Sequence, residues 1–198
     1  MIIKKIFLLI IISILCSNMV AQNNPLLAFE KKRLATDKTG MTILASWATA
    51  NMAVSAFDLN TTNKQVHYYH QMNIIWNGFN TAIAGLGYIT AKKTILSSNI
   101  SAVLKHQNNT EKTFLFNAGL DVAYIASGAY LKERGKSKIN PSKLIGYGNA
   151  VIVNGGFLFL FDMVMYAIHN KHGKQLNKFI DQLQIKGSGA GIAAIYTF

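Results

Sequence analysis

Four long segments of this chain contain neither lysine nor arginine, and the basic residues lie in the gaps between them. The segments are residues 41–57, 72–90, 113–131 and 144–168. A helix needs roughly 20 mostly apolar residues to cross the hydrocarbon of a bilayer, within a range of about 17 to 25. All four segments reach that length, the first only just. They therefore predict an all-α, up-and-down bundle of four transmembrane helices.

The composition favours lipid over water as the surroundings of these segments. Charged residues make up 14% of the chain, against roughly 25% in ordinary soluble proteins. A well-buried soluble bundle is the alternative, because the mean hydropathy is only +0.22. The last three segments argue against it, since they are apolar on most faces, where a helix of a soluble bundle would show one polar face.

The strong positive charge has several possible meanings. A formal net charge of +12 suits nucleic acid, anionic lipid or a membrane-flanking role. The basic residues flank the apolar segments, and no basic helix face or base-stacking motif accompanies them. We therefore expect a lipid bilayer as the partner and no nucleic acid. The single cysteine, Cys16, excludes a disulfide framework and a cysteine-based metal site.

The N-terminus has the order of a secretory signal. Lys4 and Lys5 precede the apolar run 6–15, and small or polar residues follow up to Ala21. This order predicts a signal peptide over residues 1–21, followed by a membrane domain over residues 22–186. Met19 stands where a smaller residue is usual, so an uncleaved anchor is the alternative. We expect the chain in a bacterial cell envelope, in the inner membrane.

Two signals disagree on the orientation of the chain. A cleaved signal peptide places the mature N-terminus in the periplasm, and four crossings return the C-terminus there. After residue 21, however, 12 Lys and Arg lie on that side and 6 on the other. The positive-inside rule favours the richer side in the cytoplasm. Our prediction keeps the periplasmic N-terminus, because loop charge bias is only a statistical preference.

The connections between the segments are polar or basic. Residues 29–38 and 174–184 are amphipathic and predict short interfacial helices on the membrane surface. Residues 99–111 predict a polar loop. Residues 132–141 predict a basic loop whose Pro141 opens the fourth helix.

The C-terminal tail, residues 187–198, differs from the rest of the chain. It is Gly-rich and then alternates apolar residues as a strand does. One strand cannot close a membrane barrel, and no other segment repeats the alternation. We therefore expect a flexible or packing tail.

Each predicted helix carries a narrow stripe of polar and small residues at spacings of three and four, which places them on one helix face. Such faces pack against other membrane helices, so four of them predict one polar layer inside the bundle. The stripes are Trp47, Asn51, Ser55 and Asp58; His70, Asn73, Asn77, Asn80, Ala84 and Gly87; Asn117, Asp121, Tyr124 and Gly128; and Gly155, Leu158, Asp162, Tyr166 and His169.

Two acids in this layer are the main functional candidates. Asp121 and Asp162 have no basic residue within the four segments, so they must be protonated, hydrogen-bonded or paired with a cation. Two close carboxyl groups can also share one proton. The pattern predicts a site for a proton, a small cation or a small polar solute. The supporting side chains are Asn51, Asn77, Asn80, Asn117 and Tyr124.

Polar residues inside a membrane bundle often have no role except cohesion, at about 0.6 kcal/mol for each hydrogen bond. The first hypothesis is therefore a structural or accessory membrane protein, oligomeric through its small-residue faces. The second is a small transporter, channel or sensor that acts through the two acids. No nucleophile with its base and no phosphate loop supports an enzyme. We predict no enzymatic activity, no cofactor and no metal site.

Two pairs of histidines have a spacing that haem or metal ligands could have. His67 and His70 begin the second predicted helix, whereas His169 and His172 follow the fourth. In an up-and-down bundle these pairs lie at opposite ends, so a haem held by two histidines is disfavoured and interfacial histidines are expected.

Three stretches carry a resemblance to other proteins. They read HQMNIIWNGFN over residues 70–80, NAGLDVAY over 117–124 and GGFLFLFD over 155–162. Together they resemble an uncharacterised family of small bacterial membrane proteins with a signal-like N-terminus and four hydrophobic helices. The resemblance covers most of the mature chain and implies its architecture. It implies no activity, substrate or site residue.

Overall fold

Four long helices form the bulk of the molecule. The computed structural model describes residues 24–181, 183–188 and 191–196, so the predicted signal peptide lies outside the described residues. Consecutive helices run antiparallel, and the predicted all-α, up-and-down architecture is confirmed. The helices are α1 (Pro25–Asp58), α2 (Lys64–Lys93), α3 (Ile100–Lys136) and α4 (Ser142–Asp181).

Asparagine caps fix where the first three helices begin. The side chain of Asn24 accepts a hydrogen bond from the backbone of Leu26 at 3.0 Å, and Asn63 and Asn99 cap α2 and α3 in the same way. Asparagine satisfies backbone N–H groups that have no partner within the helix. The carbonyl of Pro141 accepts from Ile145, which places this proline directly before α4, as predicted.

The helices extend well beyond the four apolar segments, and this corrects three predictions, of which one is the basic loop 132–141: α3 stays helical up to Lys136. Residues 29–38 and 174–181 are not separate interfacial helices but the ends of α1 and α4, and the predicted loop 99–111 is the beginning of α3. Polar residues in these extensions pack against each other across the bundle. That packing gives each extension a partner, so the helices continue where the hydropathy falls.

Small residues bring α3 and α4 into close contact. A Cβ atom added to Gly128 would lie 2.8 Å from the carbonyl oxygen of Gly148, and one added to Gly155 would lie 3.4 Å from that of Asp121. Helix α4 also packs on α2, and α2 packs on α1, whereas the backbones of α2 and α3 do not approach each other in the described bundle. These small-residue faces therefore serve packing within the chain.

The bundle buries many polar residues and exposes many apolar ones. A hydrophobic core forms around Leu44, Phe114 and Phe161, but buried polar side chains are nearly as frequent as buried apolar ones. Most exposed large apolar side chains lie in residues 43–57, 75–89, 115–130 and 153–168, for example Phe57 at 87%, Phe79 at 69%, Phe116 at 68% and Leu160 at 65% exposure. We call this surface the apolar belt.

A two-stranded antiparallel hairpin follows α4. Strand β1 (Leu183–Ser188) pairs with β2 (Gly191–Tyr196), with Leu183 opposite Tyr196 and Ser188 opposite Gly191. The predicted flexible or packing tail from residue 187 therefore begins inside a strand. The alternating residues of the tail form β2, where we expected only a flexible or packing tail, and the predicted helix over residues 174–184 overlaps the start of β1.

Candidate functional site

A cavity of about 500 Å³ lies in the middle of the bundle, between α2 and α3. Aromatic and aliphatic side chains supply most of its wall. Its polar lining consists of Asn80, Asn117, Asp121 and Asp162. All four helices contribute to the wall, because Leu44 of α1 and Leu158 of α4 also line it.

The two acids of the cavity lie next to each other on α3 and α4. Asp121 is 3% exposed and Asp162 is 5% exposed, and their carboxyl groups are within hydrogen-bonding reach of each other. Gly155 supports this approach, since a Cβ atom there would lie only 3.1 Å from the side chain of Ile125, one turn after Asp121. We call these two residues the carboxyl pair.

The carboxyl pair lacks a positive partner. Among the described residues, no basic side chain forms an ion pair with either acid, and the buried Oδ2 of Asp121 has no hydrogen-bond partner. Ionised carboxylates only accept hydrogen bonds, so a bond between the two acids requires a proton on one of them. The pair is therefore suited to hold a proton or to receive a cation.

Two aromatic rings stand beside the acids. The rings of Trp76 and Tyr124 meet edge to face with their centroids 5.0 Å apart, and both residues line the cavity. The face of an aromatic ring attracts a cation within about 6 Å. The cavity thus combines negative carboxyl groups with ring faces, and both favour positive charge.

A second polar group fills the space between α1, α2 and α4 near the cavity. We call it the amide cluster; it consists of Ser55, His70, Asn73, Asn77 and Asn154. Asn73 donates to Ser55 at 2.8 Å, Asn77 donates to Asn154 at 2.9 Å, and Asn154 donates to Asn73 at 2.6 Å. These buried side chains satisfy each other, so the cluster holds helices together without an open coordination position.

A third polar group lies in the helix extensions. We call it the charged cluster; it consists of Glu30, Arg33, Asp37, His106 and His169. Arg33 forms a bidentate pair with Glu30 at 3.0 and 3.2 Å and reaches Asp37 at 3.2 Å. His106 lies 3.1 Å from Glu30. His169 lies 3.0 Å from Asp37, although the angle does not suit a hydrogen bond.

The comparisons with known proteins give the family. Residues 43–163 match the model of DUF6992, a family of unknown function, and this is more than half of the chain. The chain belongs to this family. Comparison with curated proteins and with solved structures found no match.

Membership in the DUF6992 family supports the resemblance to an uncharacterised family. The matched region contains the cavity acids Asp121 and Asp162, but it begins after the charged-cluster residues of α1 and ends before that of α4. By length and composition, α3 and α4 are apolar enough to cross a membrane.

The predicted polar layer of this DUF6992 chain separates into two groups. Five predicted site residues line the cavity: Asp121, Asp162, Asn80, Asn117 and Tyr124. The other two do not. Asn77 belongs to the amide cluster, and Asn51 bonds the carbonyl of Trp47 at 2.9 Å.

Sequence reasoning missed two parts of the site region. Asn154 is fully buried, and its position four residues before Leu158 and eight before Asp162 could have placed it on the same stripe. The charged cluster was missed because its residues in α1 and α3 were interpreted as connections. His70 and His169 do lie at opposite ends, beside Ser55 and Asp37 respectively. Within the described residues, no three His, Asp or Glu side chains converge as a metal site requires.

Proposed function

We propose that this chain is an integral membrane protein, with all four helices crossing the bilayer, that binds a proton or a positively charged solute at Asp121 and Asp162. It would act as a small transporter or sensor. One observation carries the proposal: two adjacent buried acids line a cavity, without a basic partner among the described residues. Intramembrane acids of this kind are expensive to bury and generally have a function.

The spacing of charges supports a bilayer around all four helices. Residues 39–57, 65–91, 113–131 and 144–170 contain no Lys or Arg. At 1.5 Å per residue the shortest of these covers about 28 Å, close to the roughly 30 Å of the hydrocarbon core. The apolar belt lies within these stretches. The most apolar stretches of α1 and α2 are less apolar than those of α3 and α4. In α2 this reflects Asn73, Asn77 and Asn80, and all three are buried inside the bundle.

Single cysteines would test the bilayer and the orientation. On a Cys16→Ser background, we expect an impermeant maleimide to label Ile95→Cys and Ile139→Cys from opposite sides of intact membranes. These loop positions are 87% and 100% exposed. The matched belt variants Phe79→Cys and Leu160→Cys should resist labelling until the protein is unfolded. Equal labelling of all four positions in native protein would mean that water, not lipid, surrounds the bundle.

The same labelling tests the location. We propose a bacterial inner membrane with the N-terminal end of α1 on the periplasmic side, where Ile95 would also lie. Labelling of Ile95→Cys in intact cells stripped of their outer membrane, with Ile139→Cys protected, supports this orientation. The reverse pattern supports the orientation that the positive-inside rule favours.

Infrared spectroscopy would test the carboxyl pair directly. We expect the purified protein in zwitterionic nanodiscs to show the carbonyl band of a protonated carboxyl group at neutral pH. The band should disappear in Asp121→Asn and Asp162→Asn and decrease when methylammonium is added. Asp58→Asn changes an exposed acid on α1 and should leave the band unchanged. A spectrum without this band and without a response to methylammonium would refute the proposed site.

The amide cluster favours a second candidate, a structural or accessory membrane protein. Its asparagines bond each other and leave no position for a ligand, as expected of side chains that only hold helices together. Under this candidate, substitutions in the carboxyl pair would change the unfolding temperature and nothing else. The expected homo-oligomer has less support, because Gly128 and Gly148 face each other inside the chain.

A further inference from the structure

The cavity is larger than a proton or a bare inorganic cation requires. Its volume of about 500 Å³ falls within the range of about 300 to 1,000 Å³ typical of sites for organic ligands. Most of its wall is apolar, and the carboxyl pair is its strongest polar feature. Such a cavity suits a molecule with an apolar body and one polar end.

The mouth of the cavity opens onto the apolar belt. Phe79 and Ile83 of α2 and Leu120 and Tyr124 of α3 line the cavity and are exposed. Within the described bundle the backbones of α2 and α3 stay apart, and the Trp76 and Tyr124 rings meet across the gap. If the belt lies in a bilayer, this mouth faces acyl chains. A ligand would then enter sideways from the lipid.

The approach from the charged cluster is less open. A smaller cavity of about 340 Å³ lies there, lined by Arg33 and Asp37. Met41 and Phe114 line both cavities and therefore stand between them. This apolar partition favours entry through the mouth between α2 and α3.

The charge of the wall selects the polar end of the ligand. Within the part of the chain that the structure describes, the buried Oδ2 of Asp121 has no hydrogen-bond partner, and Asp162 adds a second carboxyl group beside it. A protonated amine donates up to three hydrogen bonds and carries the charge that the pair lacks. A carboxylate or phosphate ligand would instead meet like charge.

We infer that the cavity binds an amphipathic amine dissolved in the membrane, with the ammonium group between Asp121 and Asp162 and the apolar body against Trp76, Phe114 and Phe161. This inference rests on the proposed function, because it needs both the bilayer and the carboxyl pair. It names the class of ligand that the pair takes.

Dodecylamine is a suitable probe, and Trp76 is a reporter inside the site. In a Trp47→Phe variant, Trp76 is the remaining tryptophan of the chain. We expect dodecylamine to change its fluorescence saturably in zwitterionic nanodiscs, and empty nanodiscs provide the correction for partitioning into lipid. Dodecanol has the same alkyl chain without the charge and should bind at least tenfold more weakly. Calorimetry on the unsubstituted chain checks that Trp47→Phe has not altered the site.

Isosteric variants connect the binding to the acids. Asp121→Asn and Asp162→Asn should each weaken dodecylamine binding at least tenfold, whereas Asp58→Asn should not change it. Circular dichroism and unfolding temperatures verify that the variants fold. Equal binding of dodecanol and dodecylamine, or unchanged binding in both cavity variants, overturns the inference.

The outcomes also separate this inference from the proposed function. If dodecylamine does not bind but methylammonium still reduces the carboxyl band, the amphipathic ligand is wrong and the cation site stands. If neither compound has an effect and the band is missing, both proposals fail. Saturable dodecylamine binding that Asp121→Asn and Asp162→Asn abolish supports both.

Discussion

The bundle buries two sets of acids, and they differ in what balances their charge. Glu30 and Asp37 lie in the charged cluster, where Arg33 contacts both at 3.0 to 3.2 Å. Asp121 and Asp162 are buried about as deeply as Glu30 and more deeply than Asp37, but they face each other and a cavity. Burial alone therefore does not mark an acid as functional. The carboxyl pair differs because no basic side chain among the described residues pairs with it, which suits it to a proton or an added cation.

The largest effect is expected in the charged cluster. Arg33→Met leaves Glu30 buried without its bidentate partner, and breaking a buried ion pair costs about 3–5 kcal/mol. Unfolding in detergent measures the loss. The control is Lys31→Met, which removes the same charge from an exposed position of the same helix. It should change the free energy of unfolding very little. Adding Glu30→Gln to Arg33→Met should recover part of the stability. No recovery would mean that the loss does not come from the unpaired charge of Glu30.

A smaller loss is expected in the amide cluster. Asn154→Leu removes the partner of Asn73 and Asn77, and leaving buried polar groups unsatisfied costs about 1–3 kcal/mol. The unfolding free energy should fall while dodecylamine binding per folded molecule stays unchanged. Asn108→Leu, at an exposed position on α3, is the matched control. Lost binding in well-folded Asn154→Leu would show that the two groups act as one site.

Substitution in the carboxyl pair should not lower the free energy of unfolding. Asp162→Asn removes a carboxyl group that has no basic partner among the described residues and places an amide donor beside Asp121, so stability should stay the same or rise by about 1 kcal/mol. The unfolding free energy, measured without added amine, shows the change. A loss as large as that of Arg33→Met would mean that Asp162 has a stabilising partner, and the contrast between the two sets of acids would disappear.

The smallest effect concerns His172, which lies beyond the charge-free stretch of α4. Burial lowers its pKa, more than the hydrogen bond to the carbonyl of Phe29 raises it. The unfolded chain takes up the proton near pH 6.5. The stability that neutral, buried His172 contributes to the fold is therefore present above that pH and is lost as the pH falls toward the folded pKa.

His172→Phe keeps the stacking on Phe29 and removes the titrating group. We expect the variant to lose less stability than the wild type between about pH 7.5 and 5.5. Measuring the difference between the two proteins cancels the other histidines. Parallel pH profiles would show that His172 is not responsible for the acid sensitivity.

Much of the fold was readable because it follows from one repeating pattern. Apolar segments of bilayer length fixed the number of helices, and the spacing of three and four residues correctly placed Asp121 and Asp162 on inward faces. The helix ends were not readable from hydropathy. Residues such as Gln107, which donates to the carbonyl of His169 at 2.7 Å, keep the extensions helical through contacts with distant parts of the chain.

The sequence also could not predict how the polar layer divides between the cavity and the amide cluster. Periodicity gives the face of a helix but not the rotation of that helix against its neighbours. Asn77 and Asn80 share a stripe, yet Asn77 points to Asn154 while Asn80 lines the cavity. Close packing at Gly128 and Gly148 helps to set that rotation, and it depends on pairs of positions in different helices.

The helices extend by different lengths beyond the apolar belt at the two ends of the bundle, so the two ends differ. At one end, α1 meets α2 and α3 meets α4 through connections of a few residues, close to the edge of the apolar belt. At the other end, α1, α3 and α4 all continue beyond their charge-free stretches. The extension of α1 from Lys38 back to Pro25 covers about 20 Å at 1.5 Å per residue. We expect an antibody fragment raised against the folded protein to bind this protruding end, because the opposite end presents little surface beyond the belt.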